Sequence, residues 1–328
     1  MRLLLPATAL VALAACTPEP RYATVDTGGD VLDLRADWPD PPEGGFQVKT
    51  PTVRMPPGSD ALKCFYGQWT GPDMGVVSHV PLHPLDFHHH SLIKDVPPAD
   101  PHVPGDFIDC GGPDQSGGMP RAPLFHSVNI GQPQGDGSTI ILPEGMAFRF
   151  PSGQLWSADV HYVNPTDQTV LVNNAFNIGL IPVDEVDTWV GSFEHDVGVL
   201  TIPPGGQHEE FFDCPVKAGS SVLSISSHMH SFGLRYVVDV IRADGRVENV
   251  LLVEEWLPEH RYDPPSVHFG PGQLIMEEGD KLRTTCVWFN PSDQEIGFPA
   301  EMCTTSGVAT DIVEPIYCEA GEIVDRSR

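Results

Sequence analysis

The chain has 328 residues, with 18 Lys and Arg against 45 Asp and Glu and a formal charge of −27. A field of that sign works against nucleic acid or anionic lipid headgroups as partners recruited through net charge. Its 40% hydrophobic content supports a sizeable core and excludes disorder throughout, while 32 Gly and 34 Pro scattered without a period exclude collagen, coiled coil and long helices.

Residues 1–16 open with the single positive charge of Arg2, continue in a largely apolar stretch too short to span a bilayer comfortably, and end in small residues. This is the pattern of an export signal. Its ending, Leu13-Ala14-Ala15-Cys16, resembles the bacterial lipobox, which implies cleavage before Cys16 and a lipid anchor on its sulfur; the alternative is an ordinary secretory peptide. Thr17 in place of Asp after the cysteine favours, by the same resemblance, the outer membrane of the cell envelope. Residues 17–44 are rich in Pro, Gly, Asp and Glu and read as a flexible tether.

From Phe46 onward short β-type runs alternate with turn residues. Strands are predicted over Thr139–Pro151, Leu155–Val163, Thr169–Leu180, Val222–Phe232, Leu234–Ile241 and Val247–Val253, with a hairpin at Asp244-Gly245. The cluster Pro203-Pro204-Gly205-Gly206 reads either as a domain boundary or as a turn. No stretch carries a sustained helical periodicity and no repeat recurs at a fixed period, so the expected fold is an all-β antiparallel sandwich.

Setting Cys16 aside leaves Cys64, Cys110, Cys214, Cys286, Cys303 and Cys318. An even number in an exported chain predicts three disulfides, and spacing alone selects none of the 15 pairings. No Cys-x-x-Cys is present, which argues against a thiolate zinc site or a thioredoxin-like redox motif.

The chain holds 14 histidines, and their placement matters more than their number. Three stand in succession as His88-His89-His90, one stands alone in Val160-His161-Tyr162, and two form His228-Met229-His230. On a strand, residues two apart share a face, so His228 and His230 can converge on one ion. Imidazole suits Zn, Cu, Fe and Ni alike, so the pattern alone does not name a metal.

In this order the residues resemble the copper type II, ascorbate-dependent monooxygenases, the family of peptidylglycine alpha-hydroxylating and dopamine beta-monooxygenases. Val53-Arg54-Met55-Pro56 followed by Cys64 looks like the family's opening strand and first cysteine. His89-His90 before Leu92-Ile93 looks like its paired histidines, and Val160-His161-Tyr162 like its third. His228-x-His230 with Gly233 looks like its second-domain motif, and Glu301-Met302-Cys303 like its Glu-Met-Cys.

The resemblance implies two jelly-roll-like β-sandwich domains, here residues 45–182 and 183–322, each holding one copper ion. His89, His90 and His161 would hold the first copper and pass on electrons from ascorbate. His228, His230 and Met302 would hold the second, where O2 meets the C–H bond of a small organic substrate. The donor types fit this division, because a thioether favours Cu(I) whereas three imidazoles suit a site that cycles between oxidation states. Strand alternation would pair His88 with His90, while the family pattern selects His89 with His90, which requires an irregular backbone. The implied disulfides are Cys64–Cys110, Cys214–Cys318 and Cys286–Cys303. Where the peptide-processing members clamp a carboxylate, this chain has Ser226, Thr304 and Ser306, so the substrate of those members is not expected.

Two other classes stand beside this reading. A copper-binding lipoprotein without turnover would keep the same ligands, and a His-ligated zinc hydrolase would leave Met302 unexplained.

Overall fold

The computed structural model describes residues 31–84, 88–96, 100–110, 129–130, 139–261, 264–298 and 300–324, without the side chains of residues 88–90, 92, 95, 129 and 130. The export signal, Cys16 and the first part of the expected tether lie outside the described residues. Among the described residues all regular structure is β apart from 3-10 turns at Val183–Glu185 and Pro258–Arg261. No helix there is long and apolar enough to cross a membrane.

One long sheet runs through both halves of the chain. Its first part contains Phe46–Lys49, Ala175–Pro182, Met74–Leu82 and Met146–Phe150, and its second contains Thr188–Asp196, Thr304–Thr310, Val222–His228 and Ser266–His268. The parts join where Met146–Phe150 lies parallel to Thr188–Asp196; the neighbours within each part are antiparallel. A five-stranded sheet centred on Asp60–Gln68, Leu155–Val163 and His88–Asp95 covers the first part, and a four-stranded sheet of Gly206–Pro215, Lys281–Asn290, Gly233–Ile241 and Val247–Val253 covers the second.

Period-two burial explains the layers. Along Leu155–Val163, Trp156, Ala158, Val160 and Tyr162 turn inward to meet Phe148, Phe150 and Phe176 of the long sheet. In the second half Tyr236, Val238 and Trp288 meet Phe193 and Ile225 in the same way. Each fully buried side chain of this size contributes roughly 1.5–3 kcal/mol by area.

Leu155–Val163 and Val247–Val253 form over the predicted spans, and Asp244-Gly245 makes the expected hairpin turn, with Gly245 at φ 88°. Other runs differ. The stretch 139–151 is two strands, Ile140–Ile141 and Met146–Phe150, because the Met146 N–H closes a turn onto the Pro143 carbonyl at 3.1 Å. The stretch 169–180 breaks at Asn173-Asn174, where the Asn173 side chain accepts the Ala36 N–H and the Asn174 N–H donates to Thr50 Oγ1. Pro203-Pro204-Gly205-Gly206 is a turn leading into Gly206–Pro215, with Gly205 at φ 69°.

The expected tether is corrected from Val31 onward. Val31–Asp33 pairs in parallel with Thr169–Leu171, and Trp38 is buried against Ala175. An indole supplies enough apolar surface to anchor a segment that is otherwise polar.

Three disulfides join Cys64 to Cys110, Cys214 to Cys318 and Cys286 to Cys303, the pairing the resemblance implies. Cys214–Cys318 and Cys286–Cys303 both link the four-stranded sheet to the long sheet's side of the sandwich.

Candidate metal centres

In the first half, the inward set of Leu155–Val163 leaves His161 on the opposite face, between the neighbouring strands Asp60–Gln68 and His88–Asp95. His161 Nε2 lies 2.5 Å from Asp60 Oδ1. A carboxylate oxygen accepts, so Nε2 carries the proton and a neutral ring has its lone pair on Nδ1. Asp60 escapes a sequence reading because an acid at a strand start looks like ordinary surface.

His161 is paired across the sheet with His90, but Tyr162 is paired with His88, so the register slips there by one residue. His89 is the additional residue of this irregularity. An extra residue lets two adjacent positions of one strand fall opposite a single partner, which is the backbone that adjacent ligands need. The side chains of His88, His89 and His90 lie outside those described.

In the second half, the strand Val222–His228 ends at His228, so His230 lies beyond it rather than on it as expected. The rings still converge: their centroids are 5.1 Å apart with planes at 88°, while Met229 between them is fully buried in the core. Gly233 completes the turn because a Cβ there would meet Trp256 Cδ1 at 2.7 Å and Met229 Cε at 2.8 Å. The Trp256 indole N–H donates to the His230 carbonyl at 2.9 Å and fixes the chain from the far side.

His228 Nδ1 is buried without a hydrogen-bond partner among the described residues. Burial, then His230, then the Arg261 guanidinium push the His228 pKa down to about 3, so the ring is neutral and able to act as a ligand. His230 Nδ1 lies 3.2 Å from the Ala300 carbonyl, an acceptor, which places the lone pair of a neutral ring on Nε2.

Met302 precedes Cys303, which the bridge to Cys286 holds in place. His228 pairs with Thr304 across the antiparallel strands, the last pair before one chain turns towards His230 and the other leads back to Met302. Glu301, fully buried, binds both segments. Its Oε2 accepts N–H groups from His230 at 2.9 Å, Trp288 at 3.2 Å and Met302 at 3.3 Å, and its Oε1 accepts the Phe232 N–H at 2.6 Å. Burial raises the pKa of its carboxyl, against the pull of these donors. A sequence reading meets Glu301 only as a motif letter; an acid between apolar neighbours and a cysteine is the signal that marks it.

The three positions of the absent carboxylate clamp carry hydroxyls here as well. Ser226 and Ser306 are paired across strands, and Thr304 donates to Asp196 Oδ2 at 2.7 Å.

Cys64, Cys110 and Asp159 are the one group of three His, Cys, Asp or Glu side chains among the described residues close enough to share an ion. Both sulfurs are joined in the disulfide, so no thiolate is offered there.

No protein-family model and no curated protein matches the chain, and the family resemblance rests on the motifs. A solved structure of infectious bursal disease virus, Gt strain, shares 10% identity over 81% of this chain and 80% of that chain with a TM-score of 0.11, an overlap that carries no argument.

Proposed function

We propose that the protein is a copper monooxygenase, exported and lipid-anchored through Cys16, that hydroxylates a C–H bond of a small organic substrate. Ascorbate or a similar one-electron reductant would supply two electrons, so that R–H, O2, two electrons and two protons give R–OH and water. The observation that carries the reading is the pair His228 and His230, with converging rings and a dry, unpartnered Nδ1 on His228, tied to Met302 through the buried Glu301.

The donors fit copper. Two neutral imidazoles with a thioether suit Cu(I), and a thioether is a poor choice for zinc. Copper, when bound, supplies the one-electron chemistry with O2 that side chains lack. The chain's own part is to hold the donors. Trp256 and Ala300 orient His230, the Cys286–Cys303 bridge restrains the residue next to Met302, and Asp60 sets the tautomer of His161. The register slip at His89 supports His89 and His90 as the partners of His161.

Ascorbate-driven oxygen uptake by the copper-loaded protein, compared with Met302→Ile, tests the proposal. The substitution keeps an apolar side chain and removes the sulfur, so uptake should fall by orders of magnitude with unchanged unfolding. Full uptake in that variant would remove Met302 from the site. Uptake equal to free copper in the unsubstituted protein would favour a copper-binding protein without turnover.

A further inference from the structure

The geometry points to Glu301 as a positioning residue that holds His230 and Met302 at a set separation. This rests on the copper reading above and adds a residue that touches neither copper nor substrate.

Both oxygens of Glu301 face N–H donors, three at Oε2 and one at Oε1. Two of the donors are the backbone N–H groups of the ligand positions themselves, one from each converging segment. One side chain therefore ties the turn after Val222–His228 to the chain entering Thr304–Thr310.

Glu301→Gln tests this, because it keeps the size but turns an NH2 towards an N–H donor. In metal-free protein, hydrogen exchange at the His230, Phe232 and Met302 amides should quicken at least ten-fold. In the copper-loaded, reduced protein, copper–sulfur scattering in X-ray absorption should fall by at least half, and Cu(I) retention against a chromogenic chelator should weaken at least ten-fold. Glu301→Asp withdraws the oxygens from the donors and should likewise lose amide protection and weaken Cu(I) retention. If the Gln variant does not fold, the Asp variant decides alone, and exchange and scattering within two-fold of the unsubstituted protein would overturn the assignment. The same result in a folded Gln variant overturns it too. Absence of copper–sulfur scattering in the unsubstituted protein would overturn the copper reading, with amide exchange still reporting the tie separately.

Discussion

His161 and His90 are directly opposed on neighbouring antiparallel strands, and the register slips by one residue immediately beyond them. The slip leaves His88 across from Tyr162, whose side chain is fully buried in the core. Under the proposed function this register makes His89, rather than His88, the expected third ligand beside His90 and His161. His89→Ala should lower retained copper by one equivalent per chain and His88→Ala should leave it unchanged, as read by metal analysis after dialysis. The opposite pattern would assign the ligand by simple alternation.

The bridge between Cys286 and Cys303 spans 17 residues and holds the residue after Met302. Replacing both cysteines by Ser should lower unfolding free energy by about 3 kcal/mol, from the freed loop entropy. Denaturant unfolding measures it. The same variant should lose Cu(I) from the Met302 site before the three-histidine site.

His195 and His79 are fully buried, and burial pushes the pKa of each from 6.5 down to about 3. Between those values the unfolded chain binds the proton and the folded one does not. Stability is therefore complete above pH 6.5 and falls as the pH drops towards 3. His195→Phe removes one such proton, so the acid limb of stability against pH should become shallower by about 1.4 kcal/mol per pH unit. An unchanged slope in denaturant unfolding between pH 6 and 4 would contradict this.

How much of this was legible in the sequence depended on whether one local signal dominated. Leu155–Val163 and Val247–Val253 follow unbroken patterns between clear turns, and both formed as read. The runs 139–151 and 169–180 look continuous in the sequence because apolar residues flank their breaks, yet each break is made by hydrogen bonds that periodicity does not report. His228 and His230 were legible as a pair, although the reason differs. The strand ends at His228, and Glu301 draws the His230 and Phe232 amides out of the sheet's path. Long-range ties such as this one and the contact of Asp60 with His161 join residues 69 and 101 positions apart, beyond the reach of any local pattern.

Trp38 shows the same limit, since it stands alone in a stretch of Asp and Pro and its partner Ala175 is far along the chain. Trp38→Ala should cost about 3 kcal/mol of unfolding free energy, the size of a large core truncation. A loss under about 0.5 kcal/mol, the usual size of a surface change, would return this segment to a tether.

The most direct test of the central claim is the number of copper equivalents retained per chain by the protein lacking its export signal, after loading and dialysis. The account predicts two, falling to one in Met302→Ile under reducing conditions. Retention of one or none by the unsubstituted chain would contradict it.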